Sequence, residues 1–368
     1  MKIGIIDADL IGRKRHRFPN LVCLKISGYY KELGNEVKLL ESYDNLDSYD
    51  QVFVSKVFTD TKIPDWLEET DKIHLGGTGF YFDKAPNLPN EIEHHMPDYH
   101  LYDEFIERQI NQNKGNKSEF KEYLDYSIGF TTRGCFRKCK FCVNQKYNHV
   151  FLHSPLEEFY DPSRKKICLL DDNILGCPKW REIFSELIAT GKPFKFKQGM
   201  DERLLTDEKC EVLFNCKYDG EITFAFDKIT DYDLIHEKLK MIRRHTKKQI
   251  TFYVLCGFDE TGKYDENFWK QDIIDTFKRI ELLLKYGCFP YIMRFNKYEE
   301  SPYRGMYINL ARWSNQRSFI KKKSLKEFCY DLHKPMSSCV KYLENWISKN
   351  NDYEHYINMK FEEIQQKE

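Results

Sequence analysis

The chain has 368 residues with 58 lysines and arginines against 58 aspartates and glutamates, so its formal net charge at pH 7 is zero. This balance excludes a generally polycationic protein, and any contact with nucleic acid has to come from a local basic patch. The length allows two or three domains, and no stretch approaches the ~18 apolar residues that a membrane-spanning helix needs. We therefore expect a cytoplasmic globular protein with no membrane contact.

The first 85 residues alternate between strand and helix patterns. Apolar runs typical of strands occur at residues 2–8, at the end of 21–40, at 51–58 and at 72–77. Strands that alternate with helices are typical of a parallel, doubly wound sheet, so we predict a small Rossmann-like domain over residues 1–85. Residues 86–122 begin with three prolines and little periodicity, which predicts a connector.

The next segment repeats the same alternation with longer units. Its six strand patterns, separated by helix patterns, lie at 126–132, 165–172, 194–200, 221–227, 249–257 and 289–296. Six parallel strands with right-handed crossovers predict an α/β fold, a partial (β/α)6 TIM-like barrel, over residues 123–300. Residues 301–368 have a helical pattern and are predicted to form a C-terminal helical tail.

Three of the twelve cysteines share one polar loop. Most of the others lie singly in apolar runs, which is typical of small buried side chains rather than of a disulfide framework. Cys135, Cys139 and Cys142 have the spacing C-x3-C-x2-C and follow the first predicted barrel strand, where parallel barrels place their chemistry. Three thiolates can hold three irons of a [4Fe–4S] cluster and leave the fourth iron open to a small chelating molecule.

Zinc is the alternative metal for these cysteines. A Cys3His site would take His149 or His153 as its fourth ligand, and the chain would then be a zinc-stabilised nucleic-acid-binding protein that uses the basic segment 12–18. Zinc sites of this kind belong to small, self-contained modules, whereas this loop lies among six strand–helix units. A further alternative is a catalytically idle scaffold that keeps the iron–sulfur cluster for structure alone.

The cysteine spacing, with an aromatic residue before the last cysteine, resembles the signature of the radical S-adenosylmethionine (radical SAM) enzymes. The resemblance extends over residues 126–296. It implies that Cys135, Cys139 and Cys142 hold a [4Fe–4S] cluster whose open iron binds S-adenosyl-L-methionine. Reductive cleavage would then give a 5′-deoxyadenosyl radical that abstracts hydrogen from a substrate, and the enzyme would be oxygen-sensitive.

The resemblance also implies a set of residues that hold the nucleotide. These are Phe141, Asp171, Asp172, Asn173, Gln198, Asp201, Asp227 and Gly257. Tyr253 stands where the family's fifth-strand segment has its first glycine, while Gly257 and Glu260 match that segment. As alternatives, Asp171 and Asp172 could cap the following helix, and Gln198, Asp201 and Asp227 could be solvated strand ends.

An external one-electron donor of the flavodoxin or ferredoxin type is implied as well. The sequence shows no second redox centre, because Cys329 and Cys339 alone are too few for an auxiliary cluster.

Residues 17–41 resemble the first helix of the cobalamin-binding domain that precedes many radical SAM barrels, and 75–80 and 96–102 match later landmarks of that domain. That fold normally ligates cobalt through the histidine of a D-x-H-x-x-G motif, which this segment lacks. We therefore expect the fold without cobalamin, with a base-off form that has no histidine ligand as the lesser alternative. Cys23 is the one cysteine of this domain, which argues against a second cluster and methylthiolation.

Two regions are candidates for substrate contacts. Arg13 and Arg15 lie in the basic segment after the first strand, where an α/β sheet binds ligands such as phosphates; a solvated basic loop is the alternative. Arg294, Tyr303 and Arg304, at and after the last barrel strand, could close the barrel mouth over substrate or simply pack there. RNA or a nucleotide, a peptide and a small metabolite are all compatible with such a fold.

Overall fold

The computed structural model describes residues 1–13 and 16–365. The chain forms two compact units, Met1–Lys197 and Gln198–Glu368, and the division falls inside the segment predicted to be a barrel.

The first unit begins with a four-stranded parallel sheet in the order β2-β1-β3-β4. Its strands are β1 (Lys2–Asp7), β2 (Glu36–Leu39), β3 (Gln51–Ser55) and β4 (Ile73–Gly76), and its helices are α1 (Ala8–Gly12), α2 (Leu21–Glu32) and α3 (Thr78–Tyr81). Helix α2 begins at Asn20, whose side chain accepts hydrogen bonds from the amides of Val22 and Cys23. These elements confirm the predicted parallel α/β character.

The predicted connector contributes to the core of the first unit. It holds α4 (Asn90–Glu93), α5 (Asp103–Asn111) and α6 (Lys121–Leu124). Tyr99, Tyr102 and Phe105 pack in one apolar cluster with residues of β1 and α2. The Tyr102 hydroxyl also donates a 2.8 Å hydrogen bond to Asp7 Oδ2 at the end of β1. Little periodicity was visible here because tyrosines supply much of the buried surface.

A second parallel sheet of the first unit has the order β5-β8-β9. Its strands are β5 (Tyr126–Gly129), β8 (Lys166–Leu169) and β9 (Phe194–Phe196), with α7 (Trp180–Ala189) before β9. Along the chain, β5 and β8 are separated by a short antiparallel pair, β6 (Thr132–Arg133) and β7 (Phe151–Leu152). The sequence did not predict this pair. The segment between β6 and β7, residues 134–150, holds the three cysteines and is called the cysteine loop.

The second unit has a three-stranded parallel sheet in the order β10-β11-β12. Its elements are β10 (Ile222–Ala225), β11 (Ile250–Cys256), β12 (Phe289–Arg294), α8 (Asp207–Asn215), α9 (Tyr232–His245), α10 (Glu266–Lys285), α11 (Arg304–Ser314), α12 (Arg317–Ile320), α13 (Leu325–Asp331), α14 (Ser338–Lys349), α15 (Glu354–Asn358) and α16 (Phe361–Gln365). Each of the six strand patterns thus coincides with a strand in one of two parallel sheets, while their closure into a partial barrel stays a prediction. Cys329 on α13 and Cys339 on α14 are buried with their sulfurs 3.4 Å apart. Within the described ranges, none of the helices combines the length and apolar character needed to span a bilayer.

Candidate functional site

The cysteine loop is held by hydrogen bonds between its own residues. The Cys142 amide donates to the Cys139 carbonyl oxygen (2.9 Å), and Gln145 Nε2 donates to the carbonyl oxygens of Cys139 (2.5 Å) and Cys142 (3.0 Å). Gly134, at the start of the loop, has φ of +87°, and Lys138 has φ of +49°. Both values lie in the left-handed region, which lets the chain turn sharply on each side of Cys135.

Nitrogen–hydrogen donors point at two of the three sulfurs. The Arg137 amide (3.5 Å) and Asn173 Nδ2 (3.4 Å) donate to Cys135 Sγ, and the Asn144 amide donates to Cys142 Sγ (3.4 Å). Hydrogen bonds to sulfur are one of the means by which proteins set the reduction potential of iron–sulfur clusters. The surroundings of Cys135 and Cys142 therefore suit thiolate ligands.

The three cysteines form no disulfides, are half-buried and lie close enough to interact electrostatically. Burial raises the pKa of the Cys142 thiol, and the negative charges that Cys139, Asp172 and Cys135 can carry raise it further. A bound metal reverses this preference, because a coordinating thiol is deprotonated. Three such thiols in one loop fit the ligand set of a [4Fe–4S] cluster with one open iron.

The histidines of the zinc alternative have other partners. His153 Nδ1 lies 3.0 Å from Ser154 Oγ and its Nε2 lies 3.4 Å from Glu93 Oε1, while His149 Nδ1 lies 3.0 Å from Asn148 Oδ1. Within residues 1–13 and 16–365, no three His, Cys, Asp or Glu side chains are arranged to hold one metal ion. A Cys3His zinc site would therefore require these histidines to leave their contacts.

Asp171, directly after β8, supports the strand that leads into the cysteine loop. Its carboxylate accepts hydrogen bonds from the amides of Thr131 (3.2 Å) and Thr132 (2.6 Å) and from both threonine hydroxyls (2.6 Å each). Burial raises the pKa of Asp171 to about 6, and these four donors oppose the rise. Sequence analysis identified the aspartate as a candidate but missed its threonine partners. The available indication was the presence of two adjacent hydroxyl residues just before the loop.

Asp172 binds the cysteine loop at two places. Its Oδ2 accepts from the Gly134 amide and its Oδ1 accepts from Asn144 Nδ2, both at 2.7 Å. Neither aspartate caps the next helical turn, Ile174–Gly176, which has Asn173 at its cap position without a side-chain cap bond. The helix-cap alternative for Asp171 and Asp172 is therefore not what the structure has. Phe141 lies half-buried in the cysteine loop itself.

The candidates in the second unit lie at or after strand ends. Gln198 is exposed, and Asp201 Oδ1 forms a 2.6 Å ion pair with Arg203 Nε. Asp227 accepts a 3.3 Å hydrogen bond from the Leu255 amide, and burial raises its pKa to about 6. Asp227 is half-buried and hydrogen-bonded to the backbone of β11, so it differs from the solvated strand end that was the alternative for it.

Gly257, after β11, has φ of +77°, and its amide donates to Asp272 Oδ2 at 2.7 Å. The Tyr307 hydroxyl donates to the same carboxylate oxygen at 2.8 Å. Buried Arg279 donates to the carbonyl oxygens of Asp227 and Leu255, at 2.9 Å each. Asp272 and Arg279 were missed because they lie within the amphipathic pattern of α10. A charged residue at a position of the buried face is the one indication that the sequence offers.

The basic segment after β1 is engaged with its own surroundings. Arg13 Nη1 forms a 2.6 Å ion pair with Asp60 Oδ1, and its guanidinium lies 4.3 Å from the ring centre of Phe58. Arg15 lies outside the described residues. The positive charge of Arg13, one of the two candidates in this segment, is therefore already paired with a carboxylate.

The three candidates after the last barrel strand differ in exposure. Arg294 is exposed and lies 4.5 Å from the ring centre of Tyr298, and Arg304 is exposed at the start of α11. Tyr303 is buried, and its hydroxyl donates to Glu266 Oε1 at 3.1 Å. Tyr303 thus has the packing role that was the alternative to substrate contact.

Comparisons with known proteins gave matches among solved structures alone. No model of a protein family matches the chain, and the search of curated proteins found no match. Three structures of the cobalamin-dependent S-adenosylmethionine radical enzyme OxsB match at 16% identity. The form with aqua-cobalamin has a TM-score of 0.34 and the form with aqua-cobalamin and S-adenosylmethionine one of 0.35; each match covers 80% of this chain and 49% of OxsB. The apo form has a TM-score of 0.35 and covers 96% of this chain and 56% of OxsB. The chain thus spans about half the length of the protein that it matches.

These matches are to an enzyme of the radical SAM type, the type that the cysteine spacing resembles. They contradict the expectation that cobalamin is absent, because all three structures are of a cobalamin-dependent enzyme.

Proposed function

We propose that the chain is a radical S-adenosylmethionine enzyme in which Cys135, Cys139 and Cys142 hold a [4Fe–4S] cluster. When bound, the cluster and S-adenosylmethionine supply the 5′-deoxyadenosyl radical that abstracts hydrogen from a substrate. The observation that carries this proposal is the cysteine loop, where three cysteines outside any disulfide lie within eight residues and N–H donors point at Cys135 and Cys142.

Asn173 is the residue of the nucleotide set that the contacts favour most. Its Nδ2 donates to Cys135 Sγ, while its Oδ1 is buried and has no hydrogen-bond partner in the described part of the chain. A buried acceptor without a partner destabilises the folded state unless a bound donor satisfies it. We therefore assign Asn173 Oδ1 to the ammonium group of the methionine moiety. Nucleotide binding by the other residues of the set stays a prediction; these are Phe141, Asp171, Asp172, Gln198, Asp201, Asp227 and Gly257.

An electron donor with an acidic surface is part of the proposal. Residues 133–156 include five lysines and arginines and no aspartate or glutamate. Lys138, Lys140 and Lys146 of this segment are exposed. Positive charge around the loop that holds the redox group favours encounter with an acidic one-electron carrier of the flavodoxin or ferredoxin type.

Anaerobic reconstitution with iron and sulfide tests the proposal. We expect about four irons per chain and release of 5′-deoxyadenosine after addition of reductant and S-adenosylmethionine. Substitution of alanine for Cys135, Cys139 or Cys142 should abolish both. The matched control is Cys216→Ala, because Cys216 is also a free, half-buried cysteine but lies after α8.

Other outcomes would contradict the proposal in distinct ways. Colourless protein with one tightly bound zinc per chain would favour the zinc-stabilised module. A cluster that forms without any 5′-deoxyadenosine would favour the idle scaffold. Titration with hydroxocobalamin belongs in the same experiment, since OxsB is cobalamin-dependent.

A further inference from the structure

We propose that Asp172 is a positioning residue that fastens Gly134 and Asn144, which flank the three cysteines, to the segment that follows β8; the proposal rests on the proposed function. Asp172 Oδ2 accepts from the Gly134 amide, directly before Cys135. Its Oδ1 accepts from Asn144 Nδ2, two residues after Cys142. One carboxylate therefore joins two points of the chain that flank all three cysteines.

The two hydrogen bonds to Asp172 connect parts of the cysteine loop that the hydrogen bonds of Cys142 and Gln145 leave unconnected. The hydrogen bonds from the Cys142 amide and from Gln145 Nε2 connect residues 139–145 with one another. The bond to Gly134 fixes the other arm, which carries Cys135 and begins with a left-handed residue. Hydrogen bonds with an ionised acceptor are stronger than neutral ones, so a carboxylate suits the task.

Asp171 and Asp172 divide the support of the loop between them. The Asp171 carboxylate receives all its described hydrogen bonds from Thr131 and Thr132, before the loop begins. Asp172 receives its bonds from the loop itself. Loss of Asp171 should therefore disturb the β-structure around Thr131 and Thr132. Loss of Asp172 should make the cysteine-bearing segment more mobile while that β-structure stays folded.

A loop that is fastened before metal arrives leaves its three thiols fewer conformations from which the cluster has to gather them. Without the fastening, the segment between Gly134 and Asn144 has more conformations available in the apo chain, and metal binding has to restrict them. The expected consequence is slower uptake and faster loss of iron, with the same three ligands.

The test compares Asp172→Ala and Asn144→Ala with the control Asp161→Asn. Asn144→Ala removes one arm of the contact and keeps the carboxylate. Asp161 is also a carboxylate that accepts an amide hydrogen bond, from Ser163 at 2.8 Å outside the cysteine loop. The readouts on the reduced apo chain are hydrogen–deuterium exchange of peptides from 134–146 and the rates at which iodoacetamide alkylates the three cysteines.

We expect exchange and alkylation to be about tenfold faster in Asp172→Ala, less accelerated in Asn144→Ala and unchanged in Asp161→Asn. After reconstitution, the first two variants should lose iron to a chelator faster than the control. If Asp172→Ala does not fold, Asn144→Ala still tests the contact, because this variant keeps the Asp172 carboxylate.

The two proposals fail in different ways. Exchange and alkylation rates equal to those of the wild type in both loop variants would overturn the role of Asp172, whatever the iron content. Faster rates in a chain that never takes up iron would support the fastening and overturn the proposed function.

Discussion

Replacement of Gly134 with alanine should open the base of the cysteine loop. Gly134 has φ of +87°, a conformation that costs a residue with a side chain about 1–2 kcal/mol. The added Cβ would also lie 2.3 Å from the His149 carbonyl oxygen, about 1 Å inside a normal contact. Because the obstacle is backbone at the far end of the same loop, relief requires the two ends to separate. Overpacking of this kind costs about 1–3 kcal/mol, so we expect a loss of roughly 2–5 kcal/mol.

Gly34 offers a matched control in the same unit. Its φ is +74°, and a Cβ there would meet nothing within 4 Å. Gly34→Ala should therefore lose the conformational part alone, about 1–2 kcal/mol. The assay is hydrogen exchange of the apo chain, read at the β6–β7 amides for Gly134→Ala and at the α2–β2 amides for the control, which gives local opening free energies. Equal losses in the two variants, within about 0.5 kcal/mol, would refute the argument from close approach.

Three further perturbations test separate parts of the molecule. Burial raises the pKa of Asp7 from 3.8 to about 7, so its contribution to stability is complete below pH 3.8 and is lost as the pH rises to about 7. Asp7→Asn should flatten this part of the pH profile of the unfolding free energy, by up to about 4 kcal/mol, and an unchanged profile would contradict the assignment. Lys138→Glu with Lys140→Glu should slow reduction by an acidic flavodoxin about tenfold at low salt and much less at high salt; slowing of the same size at both salt concentrations would point to a damaged cluster instead. Asn173→Leu removes the donor to Cys135 Sγ and should lower the cluster's midpoint potential on the order of 50 mV at unchanged iron content, as followed by electron paramagnetic resonance.

Local patterns in the sequence predicted the strands well. β11 shows why, since its residues alternate between buried and half-buried along Ile250–Cys256. The segment around Tyr99 shows where such patterns fail. The Tyr99 hydroxyl donates to the Phe159 carbonyl oxygen (2.6 Å), 60 residues away. A buried tyrosine that depends on a distant backbone partner has no local signature, so a core segment was taken for a connector.

In the candidate site, too, local features were visible in the sequence and contacts between distant residues were not. The three cysteines were visible because their ligand spacing is local, within one loop. Asp172 was visible as a polar residue after a strand, but its partners Gly134 and Asn144 lie 38 and 28 residues earlier in the chain. Sequence reasoning gave Asp172 a ligand-binding role, which stays a prediction, and missed its contacts with Gly134 and Asn144.

The end of β8 accounts for much of the organisation around the cysteines. Consecutive residues of an extended segment direct their side chains differently, so three adjacent positions can serve three distinct partners. Asp171 accepts hydrogen bonds from the two threonines before the loop. Asp172 accepts hydrogen bonds from Gly134 and Asn144, and Asn173 donates one to the sulfur of Cys135. Because β8 pairs in register with β5, which leads directly towards the loop, the distance between these three side chains and their partners is set by the sheet. The sheet thus determines where the first thiol stands, and the spacing of the cysteines determines where the other two follow.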